Sequence, residues 1–492
     1  MKVHYRFICK VLIIASSLVI LMIVITKLLT PKKLYNVEWP TTLTYTGFYE
    51  MPRDTVDVLF FGSSHGAAAF DPQVVYNLYG IKSYNLSCEQ QNLLVSYYWL
   101  EEALKYQSPK VVVLDPFILF PFYRDEALNT SEICTRLAID PMRWSHNKLN
   151  AVMDICKFDG SQSIDSYFLK TIRFHAKWKA LKEHDFSYAK MENHFELKGY
   201  APLSNYMVNA NENYMPFRSV DAEGIEMVPL MQSYLDKIVD VCKERNIALL
   251  IVKTPTTNWD IDRYNEVKSY SEKNNIRYID FNEMDTNTDS GFSYLYSMSD
   301  DEHCNLWGAE TVSAYVAGML YNDYGVTGGD GYEAWANTND YYSHIAHDCE
   351  LRRMLWEDDY WDGIRSQDYT LFVTVYRDGL ESISPKSIEG LQALGIEFPM
   401  GEESKNYCAV VDGGKVMEKV SENAFTELGA IRDGIVDYKV EVDGLNSYVS
   451  TKIDNVDYSV NKKGINIVVY SNLTWKVIDS VCIDSDGRVI RN

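Results

Sequence analysis

No two of the nine cysteines stand as Cys-x-x-Cys, and none belongs to a zinc-type Cys/His pattern. Scattered at 9, 88, 134, 156, 242, 304, 349, 408 and 482, they exclude a disulfide-dense scaffold and a zinc ribbon. They read as isolated buried thiols, with one or two disulfides open in an oxidising compartment. No metal and no cofactor is expected. Positive charge is also scarce: 47 Lys plus Arg against 69 Asp plus Glu leave a net charge of -22. A polyanion would be repelled, so nucleic acid is excluded as a partner. Disorder is excluded by the opposite property, since 46% of residues are hydrophobic and 13% aromatic. A chain of 492 residues suggests two or three domains.

One long apolar run stands near the N-terminus. Lys2, Arg6 and Lys10 precede the uncharged stretch Val11 to Thr26, which is shorter than the roughly 20 residues a bilayer needs. Phe7, Ile8, Leu28 and Leu29 extend it if Lys10 and Lys27 snorkel. The run reads as a transmembrane helix. A cleaved signal peptide is the rival, but Lys-Leu-Leu-Thr-Pro-Lys-Lys follows in place of a small-x-small cleavage site. Lys27, Lys32 and Lys33 balance the basic residues before the run, so charge alone sets no orientation.

Val56 to Pro72, VDVLFFGSSHGAAAFDP, is the stretch around which the chain is organised. Its apolar start fits a central strand covered on both faces, and Gly62 gives a tight exit that lifts Ser63, Ser64 and His65 to the sheet edge. The tetrapeptide Gly-Ser-Ser-His alone fits an ordinary polar turn better. About 240 residues later come Asp300-Asp301-Glu302-His303, then Asn305 and the pair Gly308-Ala309. A serine hydroxyl needs a base in hydrogen-bond reach and a carboxylate that fixes the base's tautomer. Ser64, His303 and Asp300 can fill these roles, with Asp301 the neighbour that spacing alone does not separate. Glu302 reads as solvated, Cys304 as a buried thiol, and His65 as a partner of local backbone or, less simply, of substrate.

These two stretches resemble the SGNH (GDSL-type) hydrolase superfamily, whose first block ends Gly-Asp-Ser and whose last reads Asp-x-x-His. Laid on this chain, Gly62-Ser63-Ser64 takes the first place and Asp300 and His303 the last, so the resemblance makes Ser64 the nucleophile. His303-Cys304-Asn305-Leu306-Trp307-Gly308-Ala309 looks like the ending of membrane-anchored, extracytoplasmic members that work beside membrane-bound O-acyltransferases. The resemblance implies an N-terminus in the cytoplasm and the remainder outside a cell membrane. It also implies an oxyanion hole from the Ser64 N–H, the N–H at the second-block glycine position, here Ser87, and an amide side chain. Gln90 or Asn92 is the candidate amide, because the third-block Gly-x-Asn-Asp is missing and Asp115-Pro116 stands after the third strand.

Alternating strand and helix patterns from residue 55 to 325 predict an α/β domain, a flavodoxin-like parallel five-stranded sheet. Its strands are expected at Val56 to Phe61, Ser83 to Leu86, Lys110 to Leu114, Ile247 to Val252 and Ile276 to Phe281. Helices are expected at Leu93 to Leu104, Val228 to Arg245, Ile261 to Asn274 and from Gly308. Residues 1–34 are assigned to the tail and anchor, and 35–54 to a linker. A helical insertion occupies about 120–225, where Trp and Tyr faces could stack sugar rings or simply pack on the sheet. Residues 326–366 read as a connector with some helix. From 367 to 492 the pattern becomes mainly strand, with one helix from Pro385 to Leu394, and predicts a β-rich, sandwich-like domain.

That last part resembles the interleukin-like EMT inducer domain. The carrying residues are Phe372-Val373-Thr374-Val375, Leu391-Gln392-Ala393-Leu394-Gly395, Tyr458-Ser459-Val460-Asn461 and Gly464 to Tyr470 with Val477 to Ser480. The resemblance implies a glycan- or protein-binding module. Together these readings predict a cell-surface serine esterase or O-acyltransferase acting on acyl, expected acetyl, esters of an extracellular polysaccharide. Two alternatives remain: a non-catalytic glycan-binding partner of a membrane-bound O-acyltransferase, and a free esterase or lipase.

Overall fold

The computed structural model describes residues 2–31, 41–122, 127–181, 183–186, 197–205, 225–329, 335, 339–365, 368–376, 383–397, 405–432 and 434–491. The chain divides into two compact units, Met1–Asn339 and Asp340–Asn492.

The first unit begins with helix α1 (Lys2–Leu29), in which Phe7–Leu29 spans 23 residues and holds an 18-residue stretch of mean hydropathy 2.9, long and apolar enough to cross a membrane. A signal sequence has the same character. Within the stretch read as a linker, residues 32–40 lie outside the described part, and Thr41–Phe48 is a helix, α2. Tyr45 and Phe48 of α2 are fully buried, and Tyr45 stacks on Trp99 at 4.3 Å. The linker reading missed it because only these aromatics mark its buried side.

Five strands follow: β1 (Val58–Phe61), β2 (Ser83–Asn85), β3 (Val111–Leu114), β4 (Ala248–Lys253) and β5 (Arg277–Asp280). They pair in the order β2-β1-β3-β4-β5, every pair parallel, with Val58 opposite Val111 and Phe61 opposite Leu114. This is the predicted flavodoxin-like order. The continuous apolar runs are explained by burial on both faces. Val58, Phe60, Val111, Val113, Leu250 and Val252 pack into one core, and Leu59, Phe61, Val112, Leu114 and Ile251 into the other. At about 1.5–3 kcal/mol per fully buried side chain, these alternating positions fix the register of the sheet.

After β1 the chain turns into α3 (Ser64–Ala69) and α4 (Pro72–Tyr79). Asp71 caps α4 by accepting from the N–H of Gln73 at 2.8 Å, Pro72 occupies the first turn, and Gly80 ends the helix at φ +65°. The later helices are α5 (Leu93–Ala103), α6 (Glu132–Ile139), α7 (His146–Phe158), α8 (Ile164–Phe168), α9 (Lys170–Phe174), α10 (Glu183–Phe186), α11 (Pro229–Glu244), α12 (Ile261–Asn274), α13 (Met284–Ser290) and α14 (Leu306–Asn322). Helices α6 to α10 fall in the expected insertion. α6 and α7 supply Ile139, Val152 and Ile155 to the sheet-covering core, whereas Trp178 and Phe168 are exposed.

The second unit is an antiparallel sandwich. Its strands are β6 (Tyr369–Val375), β7 (Asn406–Asp412), β8 (Lys415–Ser421), β9 (Phe425–Ile431), β10 (Val436–Asp443), β11 (Tyr448–Ile453), β12 (Val456–Asp457), β13 (Ile465–Ser471), β14 (Lys476–Ile483) and β15 (Val489–Ile490). One sheet has the order β15-β14-β13-β6-β7-β8 and the other β12-β11-β10-β9. Between them Phe372, Cys408 and Val468 of the first meet Tyr438, Val440 and Val449 of the second. The far side of the six-stranded sheet is covered by helices Asn339–Leu351, Glu357–Arg365 and Pro385–Ala393, whose Leu351, Trp361 and Leu391 are buried there. Part of the stretch read as a connector therefore belongs to this core. Strands Lys415–Ser421 and Phe425–Ile431 were not expected, because their half-exposed faces alternate charged with apolar residues.

Candidate active site

The site lies beyond the end of β1 at the carboxyl edge of the parallel sheet, the edge where open α/β sheets bind their ligands. Gly62 follows β1, and a Cβ there would sit 2.9 Å from Asp115 Cβ; glycine lets the serine turn pack against the end of β3. Ser63 caps α3, its Oγ accepting from the His65 N–H. That directs Ser63 inward, 2% exposed, and leaves Ser64 to face the cleft.

His303 and Asp300 come from the loop before α14. The His303 carbonyl accepts from the Ser299 N–H at 2.8 Å, and the Ser297 carbonyl accepts from the Asn305 N–H at 3.0 Å, so the loop closes on itself. Asn305 caps α14 by accepting from the Gly308 N–H at 3.0 Å, and its amide donates to the Tyr296 carbonyl at 2.7 Å. At Gly308 a Cβ would overlap the Ser297 carbonyl oxygen. The spacing His303-x-Asn305-x-x-Gly308 thus has a mechanical cause: it clamps the loop to the first turn of the helix. Ser313 ties α14 to the serine turn, its hydroxyl donating to the Ala69 carbonyl at 3.0 Å and accepting from the Asp71 N–H at 2.8 Å.

Three side chains meet in line. His303 Nε2 is 2.9 Å from Ser64 Oγ, and His303 Nδ1 is 2.9 and 3.0 Å from the two Asp300 oxygens. A carboxylate only accepts, so Nδ1 carries the proton and Nε2 is the acceptor for the serine hydroxyl. Asp300 Oδ1 also accepts from the N–H groups of Glu302 and His303, each at 2.8 Å. Burial pushes its carboxyl up, but the His303 ring and these two N–H groups outweigh it and hold the group below its ordinary value. Asp301 instead offers its carbonyl to the Thr257 backbone N–H and hydroxyl. Geometry separates the two aspartates that spacing could not.

The candidate oxyanion donors fare differently. The Ser64 N–H lies in the first turn of α3, where backbone donors have no intrahelical acceptor. Gln90 lines the cleft, and its Oε1 accepts from the Ser131 N–H at 3.2 Å. Ser87 is not brought into the set. Its N–H donates to Asn85 Oδ1 at 3.0 Å, and it is absent from the cleft lining. Asn92 is the cap of α5, accepting from the Val95 N–H at 2.9 Å.

Several residues that support the site carried no sequence signal. Asn85 donates to the carbonyls of Gly66 and Phe70, at 2.9 and 2.8 Å, and so pins the middle and the C-terminal end of α3. Asp115 and Lys253, both wholly buried, pair at 3.2 Å, and Asp115 also accepts from the N–H groups of Phe117 and Thr254. Phe117 stacks on His65 at 3.7 Å, and burial, with Lys253 and His303 adding, holds His65 well below an ordinary histidine. Glu302 is half-buried and lines the cleft, contrary to its reading as solvated. Burial raises the Cys304 thiol, which fits the reading of an unreactive cysteine.

The cleft has a volume of about 160 Å³ and is lined by Ser63, Ser64, Glu89, Gln90, Phe117, Ile118, Phe122, Glu302 and His303. A larger cleft of about 650 Å³ is lined by Ala248, Leu249, Ile276 and Arg277, at the amino ends of β4 and β5. Ligands of open α/β sheets bind at the other edge, so the smaller cleft is the candidate.

Fold and site together define a class: a parallel 2-1-3-4-5 sheet with a serine, histidine and aspartate in hydrogen-bonded series at its carboxyl edge. No protein family and no curated protein matches the chain. A solved structure from Bacteroides fragilis NCTC 9343, provisionally described as an acylhydrolase, is similar at 11% identity, covering 56% of this chain and 93% of that chain. The TM-score of 0.24 is too low for that likeness to bear on activity.

Proposed function

We propose that the protein is a membrane-anchored, extracytoplasmic serine esterase or O-acyltransferase acting on acetyl esters of a cell-surface polysaccharide. The observation that carries this reading is the continuous series Ser64 Oγ, His303 Nε2, His303 Nδ1, Asp300 at hydrogen-bond distances. In this reading Ser64 Oγ attacks the ester carbonyl as its proton passes to His303 Nε2, and Asp300 stabilises the imidazolium. The oxyanion is received by the Ser64 N–H and the Gln90 amide. Collapse expels the alkoxide, which takes the proton from His303, and leaves acyl-Ser64. Water or a sugar hydroxyl then attacks with His303 again as base, giving hydrolysis or transfer.

Two features favour a short acyl group on a large carrier. The cleft of about 160 Å³ is well below the roughly 300–1,000 Å³ of pockets that enclose drug-sized ligands, which suits acetyl better than a long chain. Helix α1 suits an enzyme held at the surface that bears its substrate, and the C-terminal sandwich is proposed as the polymer-binding part. Where the direction is transfer, a membrane-bound O-acyltransferase is the proposed partner. Turnover of nitrophenyl esters of increasing chain length tests the acyl specificity. An acetyl preference of at least about tenfold over octanoyl is expected, and equal turnover would contradict it.

A further inference from the structure

The side chains around His303 hold one feature that the serine chemistry does not use. His65 is 1% exposed, and neither of its ring nitrogens meets a hydrogen-bond partner among the described residues. Buried polar atoms are rarely left in that state, and each instance asks what satisfies it. His65 stands beside His303, ring centroids 5.1 Å apart, and its plane is held by the stack on Phe117. One ligand atom each from His65, Glu302 and His303 lie within 4.8 Å of one another.

We propose that His65, Glu302 and His303 form a binding site for a zinc-type transition-metal dication, and that the bound metal switches off Ser64. Two imidazoles and one carboxylate are the donor set that such ions favour over magnesium or calcium, which prefer oxygen alone. At zinc bond lengths of about 2.0–2.2 Å, tetrahedral ligand atoms lie roughly 3.3 Å apart, so the group must close by about 1.5 Å at most. Glu302, half-buried and held among the described residues by a 3.2 Å contact from the Asn258 amide, has room to supply that movement. A fourth position stays open to water or to the Ser64 hydroxyl.

The consequence follows from valence. With its Nδ1 proton directed to Asp300, His303 has one lone pair, on Nε2, now 2.9 Å from Ser64 Oγ. That lone pair accepts the serine proton or binds the metal, but cannot do both. An occupied site therefore removes the general base, and removal of the metal restores it. No bond is made or broken in the protein. The site arises from convergence, since His65 and His303 are far apart in the chain and match no metal-binding spacing.

The binding half of this proposal is independent of the catalytic reading, whereas the inhibitory half rests on it. Detergent-solubilised full-length protein is titrated with Co²⁺, followed by its visible absorption, and then with Zn²⁺. One Co²⁺ per chain, displaced by Zn²⁺, is expected. His65→Ala and Glu302→Gln should each weaken binding at least about tenfold, with circular dichroism establishing that both variants are folded. In parallel, labelling of Ser64 by a phosphonate probe should slow at least about tenfold with Zn²⁺ and recover with chelator, while His65→Ala stays insensitive at the same Zn²⁺ concentration. Absence of stoichiometric binding, or equal binding by wild type and both variants, overturns the site. Binding that leaves labelling unchanged overturns the switch. If metal-free protein is not labelled at all, the catalytic reading fails, and the cobalt arm still decides the site.

Discussion

Replacing Asp300 by Asn removes one negative charge and little else, so it isolates what the carboxylate does for His303. The carboxylate sits 2.9 and 3.0 Å from Nδ1, and its own orientation is set by the N–H groups of Glu302 and His303. A hydrogen bond to a charged group contributes about 1.5–3 kcal/mol. The Asp300 side chain is 53% exposed, which screens the interaction and favours the lower half of that range. At about 1.36 kcal/mol per factor of ten, Asp300→Asn should lower kcat/KM roughly ten- to 150-fold, with the smaller losses favoured. The loss should fall on kcat, because the carboxylate stabilises the imidazolium that forms only as Ser64 attacks. The assay is steady-state hydrolysis of an acetyl ester by wild type, Asp300→Asn and Asp301→Asn. The reasoning is refuted if Asp300→Asn matches wild type, or if Asp301→Asn causes the larger loss.

Gly308→Ala places a Cβ against the Ser297 carbonyl oxygen and should displace the loop bearing Asp300 and His303; ester turnover is expected to fall by up to about 100-fold, and an unchanged rate would contradict the clamp. Asp115→Ala leaves Lys253 buried without its carboxylate and should cost about 3–5 kcal/mol in urea unfolding, whereas a loss below about 1 kcal/mol would refute the pairing. Lys148 is buried under Trp144 with its ammonium on the carbonyls of Asp140 and Met142, and burial lowers its pKa to about 8. The unfolded chain then binds more protons between pH 8 and about 10.4, so wild-type stability should rise through that window relative to Lys148→Met, by on the order of 2–3 kcal/mol. A flat difference across that window would refute it.

What could be read in the sequence was local in origin. The apolar runs of β1 and β3 declared a doubly covered sheet because each residue of those strands is buried on one face or the other. The Asp-x-x-His spacing was informative because Asp300 Oδ1 binds the backbone only two and three residues ahead, a turn that three positions define. Helix Ile261–Asn274 was legible from end to end, since Asp260 caps it and Asn275 closes it in the left-handed region. Contacts between distant segments were not legible. Nothing near Asn85 announces that it holds α3, and nothing near Asp115 announces Lys253, 138 residues later. Ser87 was placed by alignment of blocks, but the N–H that mattered is taken by Asn85, a partner that block position does not reveal. In the second unit, Lys415–Ser421 hid as a strand because half-exposed pairing with β7 (Asn406–Asp412) requires no apolar face.

The central claim is that Ser64 is a nucleophile made reactive by His303. It is tested most directly by treating the full-length protein with a fluorophosphonate and locating the adduct by mass spectrometry in wild type, Ser64→Ala and His303→Ala. The account predicts a single adduct on Ser64, absent in Ser64→Ala and formed at least about 100-fold more slowly in His303→Ala. Folded protein that forms no adduct, an adduct on Ser63, or labelling indifferent to His303 would contradict it.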